Sequence, residues 1–301
     1  MSSRLGNEGF RSLTACLKQN TSLARLKIGS DMIDDISVAD CLSDAIHNHP
    51  SLDSFMLVQC GLNSDILRII FEGCKRLSQL GIAFEKKLGT AGVALMADFI
   101  GSNNPTKELV LNHNNISNND TSLLASALRR NTHLQELDIR NMDITEDGEM
   151  TLLTALFDPT SIDSIIESNH TCKVYTYDDS NVTVRAQRPP LEREVTKINA
   201  HNEMSIQQKI RVKVVLALCR QDGELFDLSH FNDLPLQLMP RVLELIQEHT
   251  AMRRIACNEN QLKIDALSRL FHTLRGWELP LLFENLNRPS TNNSTMKREE
   301  E

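Results

Sequence analysis

The chain has 301 residues, 41% of them hydrophobic, which is enough for one large domain or two modest ones around a real core. Aromatics make up only 4%, so aliphatic side chains must fill that core. The net charge is -8, with 15 − 24 = −9 up to residue 180 and 17 − 16 = +1 beyond it; such an acidic surface repels phosphate backbones and argues against nucleic acid as a partner.

The first predicted element is a helix within LGNEGFRSLTACLKQNTS, with Leu13, Cys16 and Leu17 on one face. From residue 23 the chain is periodic. LARLKI at 23, LDSFML at 52, LSQLGI at 77, TKELVL at 106 and LQELDI at 134 start 29, 25, 29 and 28 residues apart. In Leu109-Val110-Leu111 the alternation has period two, so the leucines point one way and Val110 the other, as in a half-buried strand. The Asn cluster at 112–115 then turns the chain, and Leu124, Ala127 and Leu128 mark a return helix. Equivalent faces are Cys41, Leu42, Ala45 and Ile46; Ile66, Ile69, Ile70 and Cys74; Leu95, Met96, Phe99 and Ile100; and Leu152, Leu153 and Leu156.

One such unit cannot bury its apolar side alone, but stacked units share a continuous core. Helices need about 10 Å of lateral room and strands about 4.8 Å, so the expected α/β fold is a solenoid with a curved parallel sheet inside and helices outside. The opening helix lacks its strand. It reads as an improvised cap, as part of a longer array, or as a surface that pairs with another chain.

The pattern LxxLxLxxNxI at Thr106, Leu109, Leu111, Asn114 and Ile116, followed by a long helix, resembles the ribonuclease-inhibitor-like class of leucine-rich repeat over roughly residues 5–170. That resemblance implies Asn or Cys at the ninth position, hydrogen-bonding the turn. Here the position holds Asp31, Cys60, Glu85, Asn114 and Met142, so Glu85 and Met142 are expected to disturb the ladder.

Past the fifth copy the repeat decays. Ile162-Asp163-Ser164-Ile165-Ile166 is a candidate sixth strand with Glu167 in an aliphatic place, and KVYTYDD at 173–179 alternates like a final edge strand. The organisation expected is a repeat arc over 1–178, a linker over 179–193, a helical module over 194–286 and a polar disordered tail over 287–301. The module's first helix, about 194–220, carries Ile206, Ile210, Val214 and Leu218 on one face; Lys209, Arg211 and Lys213 read as its solvated side. Two further helices are expected, one from Pro235 to Ile246 with a kink at Pro240, one from Leu262 to Leu274. Trp277, Leu279, Leu281, Leu282 and Phe283 then form a segment that docks back or hooks a partner.

No phosphate-binding loop, GxGxxG, HExxH or GxSxG occurs, so neither catalysis nor a cofactor is expected. His47 and His49 read as surface residues rather than metal ligands, and Cys16, Cys41 and Cys74 as buried small hydrophobes. Seven cysteines without CxxC, no apolar leader in MSSRLGNEGF and no run of 18 apolar residues together imply a cytoplasmic protein that does not span a membrane.

The surface with most to offer is the concave sheet face. The residues expected to meet a protein partner there are Arg25, Lys27, Met56, Val58, Glu108, Val110, Asn112, Glu136, Asp138 and Arg140. They run from a basic end through an apolar middle to an acidic end. The expected role is a non-catalytic protein-interaction scaffold. Resemblance also admits a Ran GTPase-activating regulator of a small GTPase, and size alone admits an actin-capping repeat domain of the tropomodulin type.

Overall fold

The computed structural model describes residues 5–30, 32–142, 144–176 and 190–218. The chain divides into two compact units, Met1–Val214 and Val215–Glu301, and nearly all described residues belong to the first. The expected helices beyond residue 220, the Trp277 segment and the tail lie outside the described residues.

Strands and helices alternate: α1 (Gly6–Gln19), β1 (Arg25–Gly29), α2 (Ile36–Asn48), β2 (Ser54–Val58), α3 (Ser64–Cys74), β3 (Gln79–Ala83), α4 (Gly89–Gly101), β4 (Glu108–Val110), α5 (Asn118–Arg130), β5 (Glu136–Asp138), α6 (Glu146–Leu156), α7 (Ile162–Glu167), β6 (Lys173–Tyr175), α8 (Pro190–Ala200) and α9 (Ile206–Leu218). The five repeat strands are present, and the edge strand expected within 173–179 is β6. The sheet has six strands in chain order, every neighbouring pair parallel.

Leu26, Phe55, Leu80, Leu109, Leu137 and Val174 form one register row. From Phe55 onward that row is at most 4% exposed, and Leu111 and Ile139 are equally buried. Leu26, on the open edge, is only half-buried.

Several expectations change. Residues 162–167 form α7 rather than a strand, because Ser161 Oγ accepts the Ser164 amide at 2.9 Å and caps a helical turn. Cys16 and Cys41 are exposed. The expected Leu17, Leu42, Ala45 and Ile46 are buried, and the stripes are completed by Phe10 and Thr14 in α1 and by Val38 in α2. The single helix expected over 194–220 is two, and the first begins at Pro190, inside the stretch read as linker. A reciprocal cap separates them: Ser205 N–H donates to Gln208 Oε1 and Gln208 N–H to Ser205 Oγ. Ile206 is therefore 49% exposed.

Two side-chain ladders close the turns. Where strands run into helices, Asn114 donates from Nδ2 to the Ile82 and Leu111 carbonyls and accepts the Glu85 amide. Glu85, expected to disturb this ladder, belongs to it. Its carboxylate accepts the Cys60 and Leu62 amides, which suits a buried acid that finds two donors. Burial still pushes its pKa up, against the lowering effect of those amides.

Where helices run into strands, Asn20, Asn131 and Asn169 each accept two amides, as Asn20 Oδ1 does from the Ser22 and Leu23 N–H groups. Their signal was legible as NTSL, NTHL and NHTC. His49 takes the same place with Nδ1 accepting Ser51 and Leu52; it is 3% exposed, not the surface residue expected. Asn131 donates back to the Ile100 carbonyl, and Asn169 to those of Leu128 and Asn131. Arg76 fills this role two units before Asn131 by donating to the carbonyls of Ile46, His47 and His49.

Replacing Glu85 with Ala strands two buried amides, those of Cys60 and Leu62, and is expected to cost about 2–4 kcal/mol in urea unfolding. Glu85→Gln, which keeps an acceptor, should cost about half as much.

Candidate protein-binding face

The other side of each strand carries the residues expected to meet a partner. The parallel register aligns Arg25, Ser54, Gln79, Glu108, Glu136 and Lys173 in one row and Lys27, Met56, Gly81, Val110, Asp138 and Tyr175 in the next. Val58, Asn112 and Arg140 follow at the strand ends. Arg25 and Lys27 are exposed, while Met56, Val58, Glu108, Val110, Asn112, Glu136 and Arg140 are half-buried. Met56 lies over Gly81: a Cβ there would sit 2.7 Å from Met56 Cε, so the missing side chain makes room for the thioether.

The acidic end differs from the expectation. Asp138 is only 8% exposed, and Arg140 reaches it with Nε at 2.9 Å and Nη2 at 2.7 Å. The Arg140 backbone N–H donates to it at 3.1 Å, and Asn112 adds a third side-chain donor at 3.3 Å. Glu136 is paired with Lys173 at 3.1 Å. The acids are thus neutralised by their own neighbours. Among the described residues Arg25, Lys27 and Glu108 enter no ion pair.

A feature invisible to motif spacing borders this face. The residue leaving each of the first five strands has positive φ: Ser30, Gln59, Phe84, His113 and Asn141, between 57° and 61°. Their separations, 29, 25, 29 and 28, repeat those of the strands themselves. Phe84 and His113 stack with ring centroids 3.9 Å apart at 15°. Asn141 Nδ2 lies 3.0 Å from His113 Nε2. A left-handed Phe cannot be read from periodicity, because only the backbone conformation brings its ring onto the next unit's imidazole.

The lysines of α9 are also not where they were expected. Lys209 and Lys213 are 7% and 0% exposed, so these two face inward rather than to solvent. Lys213 Nζ donates to the Leu156 carbonyl at 2.6 Å and the Asn169 carbonyl at 2.7 Å, and meets His170 Nδ1 at 3.0 Å. Leu156 is the last residue of α6, where free carbonyls and the helix dipole favour a cation. A donating Lys213 makes Nδ1 the acceptor, so a neutral His170 carries its proton on Nε2, towards the Ile166 carbonyl. Burial, then the Lys213 charge, depress His170 to about 4. Burial, then Lys209, depress Lys213 to about 7.

No family model and no curated protein matches the chain. Among solved structures it is similar to one described as leiomodin-1 actin-binding site 2, at 14% identity and a TM-score of 0.35, over 63% of this chain and 88% of that one. No helix among the described residues is long and apolar enough to cross a membrane.

Below its ordinary 10.5, a lysine at about 7 leaves a window in which the unfolded chain holds a proton that the fold does not. Stability should therefore rise with pH across that window, by up to about 1.4 kcal/mol per unit, and the Lys213 contribution should be absent from Lys213→Met. Chemical unfolding of both proteins from pH 7 to 9 checks the difference in slope.

Proposed function

We propose that the chain is a short leucine-rich-repeat solenoid of the ribonuclease-inhibitor-like class acting as a non-catalytic protein-interaction scaffold in the cytoplasm. Its sheet face opposite the core receives a protein partner. The observation that carries this reading is the register: residues separated by 25 to 29 positions stand side by side on a surface the fold leaves half-exposed. A row mixing free cations with half-buried methionine and valine suits a partner of matching polarity.

Self-neutralisation of Asp138 and Glu136 shifts the recognition charge to Arg25 and Lys27. An acidic element of the partner would meet these two, and an apolar one would cover Met56, Val58 and Val110. Arg140 then serves to hold Asp138 rather than the partner, so the acidic strand contributes shape more than charge.

Affinity purification from the native cell with mass spectrometry tests the reading. Arg25→Glu with Lys27→Glu, and separately Met56→Asp, should remove partners that remain with the exposed α3 control Arg68→Glu. Recovery of the same partners with all three proteins would end it.

A further inference from the structure

We propose that the ridge where β3 and β4 end, formed by Phe84 and His113 with Lys86 and Lys87 beside them, anchors a short acidic peptide segment that seats an aromatic side chain on the Phe84 ring. This rests on the protein-binding reading above and names the chemistry of what is bound.

Phe84 has a φ of 61°, a region that L side chains with bulk avoid. Ser30, Gln59, His113 and Asn141 share the conformation, but each carries polar atoms and Phe84 carries none. An Asn or Gly would meet the turn's demand at less strain. Strain retained at an exposed position points to use, and Phe84 is 41% exposed. The ring is also held in place: it stacks on His113, which is in turn held by Asn141. A preformed aromatic platform loses little freedom when a ligand settles on it.

Charge selects the ligand. Lys86 and Lys87 are exposed and enter no ion pair among the described residues. Glu85, between them and Phe84 in sequence, points its carboxylate inward onto the Cys60 and Leu62 amides. The Lys86 carbonyl accepts Asn115 Nδ2 at 3.4 Å, which ties this loop to the next. The other strand-to-helix passages hold no such basic pair: Asp34 and Asp35 precede α2, Asp65 lies in the first turn of α3, Glu146 and Asp147 lie in that of α6, and residues 112–117 carry no Lys, Arg, Asp or Glu. An acidic segment is thus attracted at this unit, meets acids at the units before it and finds no Lys or Arg in residues 112–117 of the next, which favours a short cluster of carboxylates over a long acidic tract.

The test uses the full chain and three fluorescein-labelled peptides, read by anisotropy at low salt: Gly-Ser-Glu-Asp-Trp-Asp-Glu-Gly-Ser, the same peptide with Ala for Trp, and one with Lys for each acid. The first should bind, the second about tenfold more weakly and the third not at all. Phe84→Asn and the double variant Lys86→Glu, Lys87→Glu should each weaken the first by about tenfold. Phe84→Asn relieves the left-handed strain, so its Tm should hold or rise while binding weakens. A fall in its Tm by several degrees would make Phe84 a packing residue and overturn the proposal, as would unchanged binding or equal binding of the basic peptide. If the wild-type chain ignores all three probes while partner capture still depends on Arg25 and Lys27, this anchor fails and the face reading stands; if capture is also indifferent, both fail.

Discussion

Every strand here must hand its backbone to a helix and take it back, and the amides and carbonyls at those crossings are buried between neighbouring units. A buried peptide group without a partner costs more than most side-chain contacts return. That demand organises the whole described region. Asn114 and Glu85 meet it on one side, and Asn131 and Asn169 on the other, each bridging a unit to the one before it. The residue type is flexible so long as donors find acceptors: His49 stands in for asparagine with a ring nitrogen, and Arg76 with a guanidinium.

Because those ladders fix the spacing of the units, they also fix the open face. Parallel registry without slippage places chemically unlike residues in straight rows, and the rows then interact among themselves. Arg140 folds back onto Asp138, and Lys173 reaches across to Glu136, so charges that look available along one strand are consumed by the strand itself or by the next. What remains is a basic strand, an apolar centre under Met56 and an aromatic ridge at Phe84 and His113.

At the far end the same demand is met by a different device. The carbonyls of Leu156 and Asn169 receive the ammonium of Lys213, and Lys209 donates to the Asn199 carbonyl at 2.7 Å. Asn199 itself donates to the carbonyls of Asn169 and Cys172. A buried lysine that satisfies carbonyls is costly to desolvate, yet removing it would leave those acceptors unmatched.

The sequence by itself determined the strand–helix alternation, the five strand positions and the side of each strand that is buried. Those come from local period: two for strands, near 3.6 for helices, repeated at a separation no accident would copy five times. It also aligned Arg25, Lys27, Met56, Val110 and Asp138 correctly, since registry results from equal spacing. Only the tertiary structure decided what depends on partners far away in the chain. Glu85 is a ladder member because two amides 23 and 25 residues earlier point at it. Lys213 is buried because the end of a helix 57 residues earlier offers a carbonyl. Periodicity cannot say which side chain satisfies which backbone group, for hydrogen bonds depend on ångströms and direction, and those exist only once the units have stacked.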